Sequence, residues 1–135
     1  MPLVIIDVIK GRSRQELRTI LDTVHGAMVD AFEVPETDRY QILTQHEPDE
    51  LVVLDTGLGI SRTNELVVLR FISRERAAEA KLRLYRLLVE RLEAACGVRP
   101  DDVVVNITES GAANWSFGHG EAQFLTGKLG DPDSQ

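Results

Sequence analysis

Apolar residues switch between two spacings along this chain, and the switches divide it into elements. Leu3 to Ile9 is a short apolar run rich in β-branched residues, which predicts a strand. Lys10-Gly11-Arg12 supplies a turn. Ser13 and Glu16 then have the spacing of a capping box, in which each side chain satisfies an otherwise unpaired N–H of the first helical turn. From there Leu17, Ile20, Leu21, Val24, Met28 and Ala31 recur at helical spacing and make one face apolar. Pro35 ends that helix, and Tyr40 to Gln45 reads as a second strand. The order then returns. Leu66 to Ile72 predicts a strand, and Ala77 to Cys96 a helix with Ala80, Leu84, Leu87, Leu88, Leu92 and Ala95 on its apolar side. Gly97 suits the helix C-terminus, and Val103 to Ile107 is the closing strand.

The two halves align residue by residue. Val34-Pro35-Glu36-Thr37-Asp38 precedes one closing strand and Val98-Arg99-Pro100-Asp101-Asp102 the other, and 98 − 34 and 102 − 38 both give 64. The chain therefore reads as a tandem pair of βαβ units with right-handed crossovers. This predicts an α/β (α+β) fold, a four-stranded mixed sheet with two helices on one face. The units span about 2–47 and 65–109 of a single domain covering 1–135, joined by a linker at about 48–64 and followed by a tail at 110–135. Within the linker, Leu51 to Leu54 suggests an extra short strand and Asp55 to Gly59 a turn. The tail carries Trp115, Phe117, Phe124 and Leu125, so it is expected to pack on its own sheet or on a neighbouring subunit.

A length of 135 residues fits one domain, and oligomerisation would help it bury a core. The formal net charge of −7 argues against nucleic acid as a partner, since phosphate binding needs clustered Lys and Arg. A small anionic substrate stays open, because a few arginines can reverse the field inside a pocket. The one cysteine, Cys96, excludes an internal disulfide, and at a helix end it reads as a small buried side chain. No apolar run is long enough to span a membrane and no leader is evident, so no membrane partner and a cytoplasmic location are expected.

Candidate chemistry gathers at the strand ends. Pro2 opens the first strand, where removal of Met1 would expose a secondary amine that titrates within reach of neutral pH. Its counterpart near Glu65 lies in mid-chain, so only one copy can offer such an amine. Arg70, Arg74 and Arg76 surround the end of the third strand. Guanidinium groups there, beside helix N–H groups, would hold a carboxylate, although each also reads as a solvated surface residue. Arg39 is a further surface candidate. Asp38 precedes the second strand, as a proton-transfer group or as a turn residue like Asp102. His25, His46 and His119 show no metal spacing. His25 lies near the apolar stripe of its helix, His46 in a Gln-His-Glu-Pro turn and His119 between two glycines. Gly57-Leu58-Gly59 lacks the remaining glycine of a dinucleotide fingerprint.

These residues together resemble the malonate semialdehyde decarboxylase group of the tautomerase superfamily, over nearly the whole chain. The resemblance rests on the Pro2 start, the run Val34 to Ile42, Asp55 to Gly59 and Phe71 to Arg76. It continues through Tyr85 to Leu92, Val104 to Ile107, Asn114 to Gly118 and Ala122 to Gly127. It implies a homotrimer with a pocket around each Pro2, and no metal or organic cofactor. It implies that a cationic Pro2 polarises a substrate aldehyde or forms an imine with it. Arg74 and Arg76 match the arginines near the substrate carboxylate, and Asp38 the carboxylate that assists proton transfer or activates water. Trp115, Phe117, Phe124 and Leu129 match the apolar wall. Glu75, between the two arginines, departs from a pattern in which a neutral residue would leave more positive field. The implied activity is decarboxylation of malonate semialdehyde to acetaldehyde and carbon dioxide. Two alternatives stand beside it: a promiscuous keto–enol tautomerase or hydratase/dehalogenase of small unsaturated acids, and a non-catalytic trimeric interaction protein.

Overall fold

The computed structural model describes residues 2–129; the removal of Met1 and the frayed polar end expected over 130–135 lie outside them. Seven main elements follow one another as β1 (Leu3–Ile9), α1 (Arg14–Phe32), β2 (Tyr40–His46), β3 (Val67–Ser73), α2 (Ala78–Cys96), β4 (Val103–Glu109) and a short α3 (Gln123–Thr126). The sheet order is β2-β1-β3-β4. β1 runs parallel to β2, β3 parallel to β4, and the two units meet where β1 and β3 pair antiparallel. This is the four-stranded mixed sheet with two helices that the repeat predicts.

Alternation along the strands decides the layers. Val4, Ile6 and Val8 of β1 and Val67, Leu69 and Phe71 of β3 are buried in one core with Ile20, Val24 and Met28 of α1 and Leu84, Leu88 and Leu92 of α2. The opposite positions, among them Tyr40, Ile42 and Arg70, stay on a face that carries no helix and are exposed. The tail turns back on its own chain. Phe124 of α3 is fully buried and Phe117 lies against Tyr40.

Several expectations are corrected. Leu51 to Leu54 is not a strand: it pairs with none of the four strands. Arg62 donates to the carbonyls of Leu54 (3.0 Å) and Asp101 (2.5 Å), which ties the linker down. His46 is not in a turn but closes β2, opposite Ile9. Cys96 is half-buried, with its sulfur 3.8 Å from the Thr23 hydroxyl; burial pushes its thiol up, against smaller opposing effects of Thr23 and Arg12. Among the described residues, no helix is long and apolar enough to cross a membrane.

Candidate active site

The strand register collects the candidate residues at one edge of the sheet. Leu3 pairs with Tyr40 on one side and with Ile72 on the other. Pro2, one residue earlier, is buried between the level of Arg39 and that of Ser73. β3 ends at Ser73, and residues 74–77 cross to the start of α2. That crossing presents both arginines to the Pro2 end. It is fastened from β4, where the Ser110 N–H donates to the Ser73 carbonyl at 2.7 Å and the Arg76 N–H donates to Glu109 Oε2 at 3.2 Å.

Each guanidinium lies on an aromatic ring. Arg74 sits 5.0 Å from the Phe124 ring centre and Arg76 4.9 Å from that of Phe32. Arg76 also donates from Nε to the Ser73 hydroxyl at 3.3 Å. Burial pulls the Arg76 pKa below its usual value; Asp38 opposes that and the like charge of Arg74 adds to it, so the three charges share one neighbourhood. Among the described residues, Nη1 of Arg74, Nη2 of Arg76 and, in the first copy, Nη1 of Arg12 are buried without an acceptor. Buried donors are nearly always paired, and Arg74 and Arg76 bring two such donors into one neighbourhood.

The apolar side is an aromatic chain. Trp115 stacks on Phe117 at 5.5 Å, Phe117 tilts against Tyr40 at 5.5 Å and meets Phe124 edge-on at 5.6 Å. A cavity of about 450 Å³ opens between Leu3, Tyr40, Ile72, Ser110, Trp115 and Phe117. Ser110 also lines a polar recess with Arg74, Glu75, Glu109 and Gly111, so the apolar and charged halves adjoin there. Leu129 is half-buried in the turn that closes α3.

Other candidates go elsewhere. Arg70 does not join Arg74 and Arg76; it donates to Asp7 Oδ2 at 2.8 Å on the open sheet face, where His46 Nε2 meets Asp7 Oδ1 at 2.7 Å. Arg39 is taken by Asp22 (2.7 Å) and Gln41 (2.8 Å). His25 is buried, with Nε2 2.6 Å from the Glu36 carbonyl, and His119 is exposed at a positive φ of 59°. Among the described residues no group of His, Cys, Asp or Glu is placed to hold a metal ion. Sequence reasoning missed Phe32, Tyr40, Glu109 and Ser110 as site components. Tyr40 and Phe32 read as strand and helix residues; only the proximity of Tyr40 to Asp38 hinted at more.

Comparison with known proteins fits this geometry. One family model, described as tautomerase enzyme, matches residues 38–118, and a second of the same description matches residues 2–60. The probable tautomerase YrdN of Bacillus subtilis (strain 168) is 51% identical over 129 residues, covering 96% of this chain and 100% of that one. A crystal structure of malonate semialdehyde decarboxylase, described for its decarboxylase and hydratase activities, superposes with a TM-score of 0.92 at 50% identity, covering 94% of this chain and 98% of that one. The FG41 malonate semialdehyde decarboxylase inhibited by 3-bromopropiolate is similar at 40% identity and a TM-score of 0.91, covering 96% and 99%.

Proposed function

The chain belongs to the tautomerase family of enzymes, and from that premise we propose that it decarboxylates malonate semialdehyde, using Pro2 as a cationic N-terminal catalyst. The observation that carries this reading is the pair of orphan buried donors on Arg74 and Arg76, beside Asp38 and at the Pro2 end of the sheet. Within the single chain each unmet donor costs about 1–3 kcal/mol. A substrate carboxylate meets them.

The steps follow from the charges. Arg74 and Arg76 hold the carboxylate and turn its bond to C2 out of the plane of the aldehyde. The protonated Pro2 amine donates to the aldehyde oxygen. The C1–C2 bond breaks, carbon dioxide leaves, and the electron pair passes into the enolate, whose oxygen charge Pro2 stabilises. A proton from the Pro2 ammonium or from water then adds to C2 and gives acetaldehyde. The aromatic chain of Trp115, Phe117 and Phe124 limits water around the departing group, and Asp38 serves proton transfer or orients water. The active form in this reading is a homotrimer.

A second reading uses the same residues. Asp38 beside the arginine pair also suits hydration of a small unsaturated acid, with Asp38 directing the water. The similar decarboxylase described with a hydratase activity favours keeping it.

The test compares two tagged forms while acetaldehyde release from malonate semialdehyde is followed. With Met1 or a tag retained, the Pro2 nitrogen is a tertiary amide with no proton to give. The blocked form is expected to fold and to lose kcat, while a C-terminal tag is tolerated. Full activity in the blocked form, confirmed by mass spectrometry, removes Pro2 from the chemistry. Arg74→Ala is expected to lower kcat/KM by about 10- to 100-fold, the worth of one charge-assisted bond, without unfolding. Unchanged kcat/KM would remove Arg74 from the site.

A further inference from the structure

The loop that carries the two arginines is fastened by one carboxylate. An offset of 64 relates Arg76 to Arg12 and Lys81 to Leu17, and the strand register, at an offset of 63, relates Glu109 to His46. In the second copy, Glu109 Oε2 accepts the Arg76 backbone N–H at 3.2 Å and Oε1 accepts Lys81 Nζ at 2.7 Å. One carboxylate thus joins the end of β4, the loop that carries both arginines and the first turn of α2. In the first copy the corresponding loop is tied by a different pair, Lys10 Nζ to Glu47 Oε1 at 2.6 Å, just beyond the end of β2. The Glu109 link falls on the loop that carries Arg74 and Arg76, at the Pro2 end of the sheet. There it works with the Ser110-to-Ser73 bond, and Glu109 lines the same recess as Arg74.

We propose that Glu109 is a positioning residue for the arginine pair, fixing the backbone of residues 74–77 so that both guanidinium groups face the substrate carboxylate. This rests on the reading of Arg74 and Arg76 as the carboxylate-holding residues. Glu109 is negative and close to the site, so it would not be chosen for attracting an anion. Its value is geometric, because two guanidinium groups hold one carboxylate well only when both are already in place. The hydrogen bond to Arg76 is the functional contact, and Lys81 orients the carboxylate and offsets its charge.

The test uses propionate as a simple monocarboxylate probe, with binding followed by NMR together with hydrogen exchange at the Arg76 amide. Glu109→Ala is expected to weaken propionate binding about tenfold and to speed exchange at Arg76 by a similar factor. Glu109→Gln keeps a carbonyl oxygen able to accept the Arg76 N–H, so it should restore most of the affinity. Lys81→Met leaves the acceptor in place and should cost less than Glu109→Ala. A surface ion pair serving stability alone predicts a different pattern, in which Glu109→Ala and Lys81→Met lower Tm equally and leave propionate binding unchanged. Normal propionate binding in Glu109→Ala, with binding lost in Arg74→Ala, overturns the inference and leaves the arginine site standing. Normal binding in Arg74→Ala overturns the carboxylate reading itself. Unaltered Arg76 exchange in Glu109→Ala overturns the clamp in either case.

Discussion

The offset of 64 pairs Asp38 with Asp102 in the sequence, but Asp38 lies two residues before β2 and Asp102 one residue before β4, and their surroundings differ. Asp102 is fully buried and accepts from the Thr63 N–H at 2.7 Å and the Thr63 hydroxyl at 2.5 Å, so it fastens the linker. Asp38 instead lies within the field of Arg76. The repeat made both visible in the sequence but could not divide their roles, because the division depends on what the linker brings to one and the arginine loop to the other. Pro2, Asp38, Arg74 and Arg76 were legible because all stand at strand ends, and the βαβ order sends those ends to one edge. The bonds of Asp7 were not legible. They join residues 39 and 63 positions away, and only the register of β1 with β2 and β3 brings them together. These bonds have a consequence for pH. Burial pushes the Asp7 carboxyl up, but the bonds from His46 and Arg70 more than offset it and leave the pKa below the ordinary 3.8. A carboxyl lowered on folding stabilises the fold at pH above its unfolded pKa, and that stability is lost as pH falls through the lower folded value. Urea unfolding of the parent and Asp7→Asn should therefore differ most at neutral pH and converge under acid below the usual carboxylate range. A difference that does not change with pH would show that the charge of Asp7 contributes nothing.

The two helices start differently although their positions correspond. Ser13 caps α1 in a full capping box with Glu16, each bond 3.1 Å. The residues 64 further on are Ala77 and Ala80, and α2 begins with no side-chain cap. Ala77 nevertheless has the extended geometry of a cap, with φ −65° and ψ 151°, close to the −70° and 165° of Ser13. Ala77→Ser should therefore add a cap without moving the backbone and stabilise the chain by about 0.5–2 kcal/mol; Ser13→Ala should cost a similar amount. Denaturant midpoints at constant m-value measure both, and an Ala77→Ser protein no more stable than the parent would mean that the arginine loop cannot accept the cap. Helix and strand positions were readable because periodicity and caps are local. The linker was not. Leu51 to Leu54 has the composition of a strand, yet a strand exists only where a ladder partner stands beside it, and local sequence does not report that.

At the scale of the molecule the two long helices cover one face of the sheet, and the tail reaches the other only at the Tyr40 end. The other face exposes Ile42 at 51%, and the linker exposes Val52 at 72%, Leu54 at 76% and Leu58 at 75%. The linker is not loose: Arg62 holds the Leu54 carbonyl, and Asp55 Oδ2 accepts the Gly59 N–H at 2.8 Å. Large apolar side chains held in place in water contribute nothing to a single copy. Each is worth about 1.5–3 kcal/mol if a neighbour buries it. β2 and β4 are also unpaired edges, which a ring of copies would cover. The proposed homotrimer uses these surfaces, so light scattering at micromolar concentration should give three times the chain mass. Leu54→Asp and Ile42→Asp each place a carboxylate where an apolar contact is needed, and both should shift the population to smaller species while far-UV circular dichroism stays unchanged. Leu82→Asp, on the exposed side of α2, is the control and should leave the mass as it is. A wild-type monomer would remove the trimer outright. A trimer that tolerates both substitutions would place its interface away from the linker and the open face, and those residues would then need another partner.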